Sequence, residues 1–165
     1  MEQKKLRIGI FSFTGDEGCV IVFEELLNTH LFEWKDLVEI TSARVLQTKS
    51  EIKDIDVAFV EGAIATNHEE KMIKKIRKNS KKLVAIGSCA ILGDPSNHRN
   101  YFDAERLKEI EFILQRFAHL PKVHPLKDFV RVDATVPGCP ASGQGLIDAV
   151  SKYLVEFGVV PRGGK

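Results

Sequence analysis

Four short stretches of the chain are almost continuously apolar: LRIGIFSF (Leu6–Phe13), DVAFVEGAI (Asp56–Ile64), KLVAIGSCA (Lys82–Ala90) and DFVRVDATV (Asp128–Val136). Strands of a parallel sheet covered on both faces read this way, because neither face alternates with solvent. A fifth stretch, LVEITSARV (Leu37–Val45), alternates more and is expected at a sheet edge. Between the strands the apolar period changes to that of a helix. CVIVFEELLNTH places Phe23, Leu26, Leu27 and His30 at helical spacing. NHEEKMIKKIRKNS turns Met72, Ile73 and Ile76 inward and is expected to start at an Asn67 cap, with Glu70 three residues on. DAERLKEIEFILQRF carries Leu107, Ile110, Leu114 and Phe117 on one stripe. SGQGLIDAVSKYLVEFG carries Leu146, Ala149, Val150, Tyr153 and Phe157, with Gly158 as a stop. Two segments, Ile91–Phe102 and His119–Lys127, read as loops, the second because Pro121 and Pro125 interrupt it.

Strands alternating with helices predict a doubly wound α/β fold with a mostly parallel sheet. No repeat or linker divides the 165 residues, so a single domain over 1–165 is expected.

Composition narrows the function. Charged residues make up 28% and the net charge is +1, so no basic surplus exists to neutralise nucleic-acid phosphates. No apolar run approaches the roughly 20 residues of a membrane span. The opening MEQKKLRIGIFSF places lysines before apolar residues, but it lacks a small-residue cleavage pattern and reads as a strand. A cytoplasmic location is expected, with the three cysteines outside any disulfide scheme.

Those cysteines carry the candidate chemistry. Cys19 follows the first strand, Cys89 ends the Lys82–Ala90 stretch and Cys139 follows the last strand. All three are expected at carboxyl ends of parallel strands, the edge where open α/β sheets bind ligands. Small residues flank them: Gly18, Gly87, Ser88, Ala90, Gly138 and Pro140. Glycine lets a backbone approach a bulky ligand and offers it amide N–H groups. Free cysteine is otherwise a small buried hydrophobe. Zinc sites favour close C-x-x-C pairs, which are absent here. A cubane iron–sulfur cluster needs four ligands, and three thiols are present. Nucleotide or flavin binding at the same edge is the other ligand reading. TGDEG makes a poor phosphate loop, lacking the G-x-G-x-x-G spacing and carrying two acids.

The order x-x-G-C, EGAI, GSCA, PGCP resembles the small, electron-transferring subunit of nickel–iron hydrogenases and the related 20-kDa subunit of respiratory complex I. The resemblance runs from about Leu6 to Tyr153 and implies a flavodoxin-like fold. It implies one [4Fe–4S] cluster beside the active site of a catalytic large subunit, with Cys19, Cys89 and Cys139 as ligands. The family's first motif is C-x-G-C, and here it reads D-E-G-C, so the fourth ligand would be Asp16, with Glu17 as a neighbouring substitute. Coenzyme-F420-reducing members are similar in having an aspartate there. A carboxylate is a harder ligand than a thiolate. Without the cluster, Asp16 reads as a helix cap. Gly18 and Gly138 would line the cofactor. Glu61 would stand near it, with a hydrogen-bonding role; from the residues alone it reads as a solvated strand end or a helix-capping group. His98 and His124 read as solvated loop residues. The implied function is a non-catalytic electron relay between a hydrogenase-like large subunit and a further redox subunit, a flavin or iron–sulfur protein. The alternative is a flavodoxin-like assembly or regulatory subunit that has no cluster.

Overall fold

The structure, a computed structural model, describes residues 4–43, 46 and 51–161. Its elements run β1 (Leu6–Ser12), α1 (Gly18–Thr29), α2 (Leu31–Trp34), β2 (Val38–Ala43), β3 (Ile55–Glu61), β4 (Ile64–Thr66), α3 (Asn67–Lys78), β5 (Ser80–Ile86), α4 (Gly87–Leu92), α5 (Ala104–Arg116), β6 (His119–His124), β7 (Ala134–Val136) and α6 (Gly143–Glu156). Short 3-10 turns at His98–Tyr101 and Leu126–Asp128 complete it.

Five strands form one sheet in the order β2-β1-β3-β5-β7, all parallel. Counted within the sheet, that order is 2-1-3-4-5, the flavodoxin-like doubly wound arrangement. The direction of winding reverses between β1 and β3. β4 and β6 form a separate antiparallel pair.

The apolar runs are continuous because both faces of the sheet are covered. Val57 and Phe59 of β3, with Val84 and Ile86 of β5, pack beneath α1 and α6 against Phe23, Leu146 and Tyr153. Their neighbours in sequence, Ala58, Val60, Leu83 and Ala85, point to the other face and meet Ile73, Ile76 and Leu126. Phe23 and Phe59 meet at 4.9 Å between ring centroids with their planes tilted by 59°, and both are fully buried. Truncating either to alanine would cost about 3–5 kcal/mol.

Several local expectations are corrected. The Asp56–Ile64 run breaks at Gly62, whose φ is +84° and whose added Cβ would stand 2.7 Å from the Phe13 carbonyl carbon. The Lys82–Ala90 run leaves the sheet at Ile86, so Cys89 lies on α4. Of Asp128–Val136 only Ala134–Val136 is strand. His119–His124, expected as loop, is a strand despite Pro121; β6 is paired on one side only, where a missing N–H is tolerated. The α3 cap is Thr66 with Glu69, one residue earlier than expected, and both bonds of the capping box are present. On the α5 stripe Leu107, Ile110 and Leu114 are half-buried and Phe117 is 60% exposed, so the face is covered only in part. Leu37–Val45 is an edge strand as expected through Ala43; Arg44 and Val45 lie outside the described residues.

Candidate metal centre

The sheet order carries the site together. β1, β3, β5 and β7 are successive neighbours, so their carboxyl ends bring Cys19, Glu61, Cys89 and Cys139 to one edge in that spatial order. Glu61 ends β3, Cys19 and Cys89 lie in the first turns of α1 and α4, and Cys139 lies in the loop after β7.

The turn after β1 leads into α1. Its N-cap, Glu17, sits in the left-handed region at φ 61° and makes no side-chain cap bond. Asp16 closes the turn, its Oδ1 accepting the Gly18 N–H at 3.0 Å. Oδ2 of Asp16, which is exposed, has no hydrogen-bond partner among the described residues. The first amides of a helix need acceptors, and here they come from another strand. Glu61, 2% exposed at the end of β3, takes the Val20 N–H on Oε2 at 2.6 Å and also accepts from the Cys19 N–H. Glu61 is thus the helix-capping group of α1. Burial first, then the Asp16 and Glu17 charges, raise its pKa above the ordinary carboxylate value.

Cys19 is buried at the first turn of α1, and its Sγ accepts the Ala141 N–H at 3.3 Å. Burial pushes this thiol up to about 11, with Glu61, Asp16 and Cys139 adding to the rise and the Ala141 amide opposing it. A thiol in that setting keeps its proton until a cation replaces it.

Gly87 opens α4 directly beside Cys19. A Cβ there would stand 2.4 Å from the Cys19 Sγ and 3.6 Å from the Gly138 carbonyl oxygen, and its φ of +80° suits glycine. That carbonyl in turn accepts from the Ser88 N–H at 2.8 Å and the Ser88 Oγ at 3.1 Å. Gly138, at φ +130°, turns the chain so tightly that a Cβ would meet the Pro140 oxygen at 2.3 Å. The D-E-G-C, GSCA and PGCP segments therefore touch one another through their small residues. Cys139 is exposed and Cys89 half-buried.

The Cys89 Sγ has a partner that the sequence did not single out. Ser96, seven residues on, brings its Oγ to 3.2 Å from that sulfur and to 3.2 Å from the Thr14 carbonyl oxygen. A serine in a Gly/Pro/Asn-rich loop carries no signal of such a contact. His98 lies exposed, and the His124 Nδ1 stands 3.0 Å from Asp128 Oδ2. Among the described residues, no three His, Cys, Asp or Glu side chains converge tightly enough for a single metal ion.

Residues 17–153 match the family of the NADH ubiquinone oxidoreductase 20 kDa subunit. The chain belongs to this family. It is 32% identical to a component of the vhu F420-non-reducing hydrogenase of Methanocaldococcus jannaschii, over 90% of this chain and 56% of that protein. It is 27% identical to the gamma subunit of the coenzyme F420 hydrogenase of Methanosarcina barkeri, over 92% of this chain and 55% of that one. The chain spans about half the length of these relatives. Among solved structures it resembles a chain of an NAD+-reducing [NiFe]-hydrogenase in the H2-reduced state, with TM-score 0.78, 27% identity and 93% of each chain covered. A Ni-Fe-Se hydrogenase from Desulfomicrobium baculatum shares the fold at TM-score 0.64 and 17% identity, over 94% of this chain and 65% of that one. No helix among the described residues is long and apolar enough to cross a membrane.

Proposed function

We propose that this chain is the electron-relay small subunit of a hydrogenase-like complex in the cytoplasm, holding one [4Fe–4S] cluster. Cys19, Cys89 and Cys139 are its thiolate ligands and the Asp16 carboxylate is the fourth. The observation that carries the reading is the meeting of the three cysteine-bearing strand exits on one sheet edge, with glycine at position 87, where a Cβ would stand 2.4 Å from the Cys19 sulfur. The donor set suits the group: thiolates at three of its corners, and a carboxylate with one oxygen uncommitted. Ligands of a cubane attach to separate irons, so they need not converge as they would on a single ion.

When bound, the cluster supplies a reversible one-electron acceptor. The chain's own residues hold it. Glu61 fixes the first turn of α1 and thereby the position of Cys19. The Ala141 amide donates to the Cys19 sulfur. Gly18 and Gly138 keep side chains out of the approach. Asp16 and Cys139 are exposed, and a large subunit seated over them would exclude water and oxygen from the thiolates. A flavin or iron–sulfur subunit would take the electrons onward. On this reading the catalysis belongs to the large subunit.

The test is an anaerobic preparation of the protein with its native partners. A broad absorption band near 400 nm, on the order expected of cluster charge transfer, is the expected result. Cys19→Ala, Cys89→Ala and Cys139→Ala should each lose iron, and full iron content in any of them removes that residue from the ligand set. Asp16→Asn keeps the bond to the Gly18 amide and removes the anionic ligand. An unchanged electron paramagnetic resonance signal in that variant would return Glu17 or an external donor as the fourth ligand. One observation favours a scaffold without a cluster: an aspartate, Asp16, stands where the family's first motif has a cysteine. A native complex with no cluster absorption would decide for it.

A further inference from the structure

We infer that Ser96 sets the reduction potential of this centre through a hydrogen bond to the Cys89 sulfur; the inference rests on the cluster reading above. The Ser96 Oγ is 3.2 Å from the Cys89 Sγ and 3.2 Å from the Thr14 carbonyl oxygen. A hydroxyl has one hydrogen and so serves one of the two acceptors at a time. Beside a neutral thiol, the carbonyl is the better acceptor. Beside an iron-bound thiolate, the charge on sulfur draws the hydrogen to Cys89.

The position is built rather than incidental. Thr14, whose carbonyl holds Ser96, is bridged to Ala63 in both directions at 3.1 and 2.8 Å, and its hydroxyl donates to Glu69 at 2.8 Å. Gly93 starts the loop at φ +85°, and Asn97, 9% exposed, buries the residue after Ser96. The hydroxyl is therefore carried on a fixed loop between the cysteine of β5's exit and the backbone of β1's exit. Cys19 has the equivalent donor from the main chain, the Ala141 N–H. At Cys89 the donor is a side chain, and a side chain can be changed without altering the fold.

An added electron raises the negative charge on the ligand sulfurs. A hydrogen bond donated to sulfur then strengthens, which stabilises the reduced state and raises the potential. Ser96 is a positioning residue of the relay and makes no bond to iron.

The experiment is an anaerobic redox titration of the wild-type complex, Ser96→Ala and Ser96→Thr, followed by electron paramagnetic resonance, with iron content and absorption measured on each. Ser96→Ala is expected to keep its iron and shift to lower potential, and Ser96→Thr to restore the wild-type value. A wild type without cluster absorption overturns the cluster reading itself. A wild type with the cluster, and Ser96→Ala at the same potential, leaves that reading standing and overturns this inference. If Ser96→Ala fails to assemble, pulsed deuterium measurements on the wild type in deuterium oxide take its place. A hydroxyl deuteron coupled to the centre, in addition to that of the Ala141 amide, is expected in the wild type; its absence overturns the inference.

Discussion

Two helix starts in this molecule solve the same problem differently. α3 is capped by its own neighbours: Thr66 Oγ1 accepts the Glu69 N–H at 3.2 Å, and Glu69 returns bonds to the Ala65 and Thr66 amides at 2.8 and 2.9 Å. α1 has no such local box. Its N-cap Glu17 makes no side-chain bond, and Glu61 reaches it from a strand 41 residues away in sequence. The local cap is complete within four residues of sequence, although Glu69 also accepts the Thr14 hydroxyl. The distant cap ties α1 to β3 and leaves Asp16 exposed on the turn between β1 and α1. Capping from a distance fixes the turn while one Asp16 oxygen stays without a partner among the described residues.

The largest expected effect is at Gly87, where the two exits from β1 and β5 meet. Gly87→Ala places a Cβ 2.4 Å from the Cys19 sulfur at φ +80°. It should cost about 2–4 kcal/mol in denaturant unfolding, the sum of backbone strain and overpacking. It should also lose iron. A variant that keeps both its midpoint and its iron would mean that the edge is looser than described.

Breaking the distant cap comes next. Glu61→Ala leaves the buried Cys19 and Val20 amides without an acceptor, at about 2–3 kcal/mol. Glu61→Gln keeps an acceptor and should lose less. Equal losses in the two variants would mean that the charge, not the hydrogen bond, holds α1.

Thr66→Ala is the counterpart at α3, expected to cost about 1 kcal/mol with iron content unchanged. Loss of iron in that variant would erase the distinction between a local cap and a site-building one.

The mildest test reads protonation in the protein stripped of metal. Cys19 holds its proton to about pH 11 when folded, against an ordinary thiol value of 9.0. A raised folded value contributes stability that is complete below the unfolded pKa and lost as pH rises through the folded one. Stability should therefore fall between about pH 9 and 11, and more shallowly in Cys19→Ala. Mass-spectrometric alkylation should mark exposed Cys139 first at pH 8 and Cys19 last; the reverse order contradicts the burial described.

The sequence was most legible where local chemistry repeats. Val57 to Val60 and Leu83 to Ile86 read as two-sided strands because alternate residues enter opposite cores. The α6 start at Ser142 and its end before Gly158 follow capping rules that involve only neighbours. Legibility failed where a partner supplies the reason. His119–His124 looked like a loop, yet it is a strand because β4 offers an edge. The α5 stripe reads as a core face, yet it packs only part-way: Leu107, Ile110 and Leu114 are half-buried and none is fully enclosed.

The same division runs through the site. Residue order alone determined which cysteines leave which strands, that glycine adjoins them, and that an aspartate stands where the family's first motif has a thiol. These depend on period, turn chemistry and spacing, which are carried along the chain. Only the tertiary structure decided what those residues do to one another: Glu61 capping α1, the Ala141 amide on the Cys19 sulfur, Gly87 against that sulfur, and Ser96 beside Cys89. The first three join the exit of β1 to those of β3, β7 and β5, and the last closes the exit of β5 on itself. The parallel order β1-β3-β5-β7 sets exits far apart in sequence side by side, and no local propensity records that closeness.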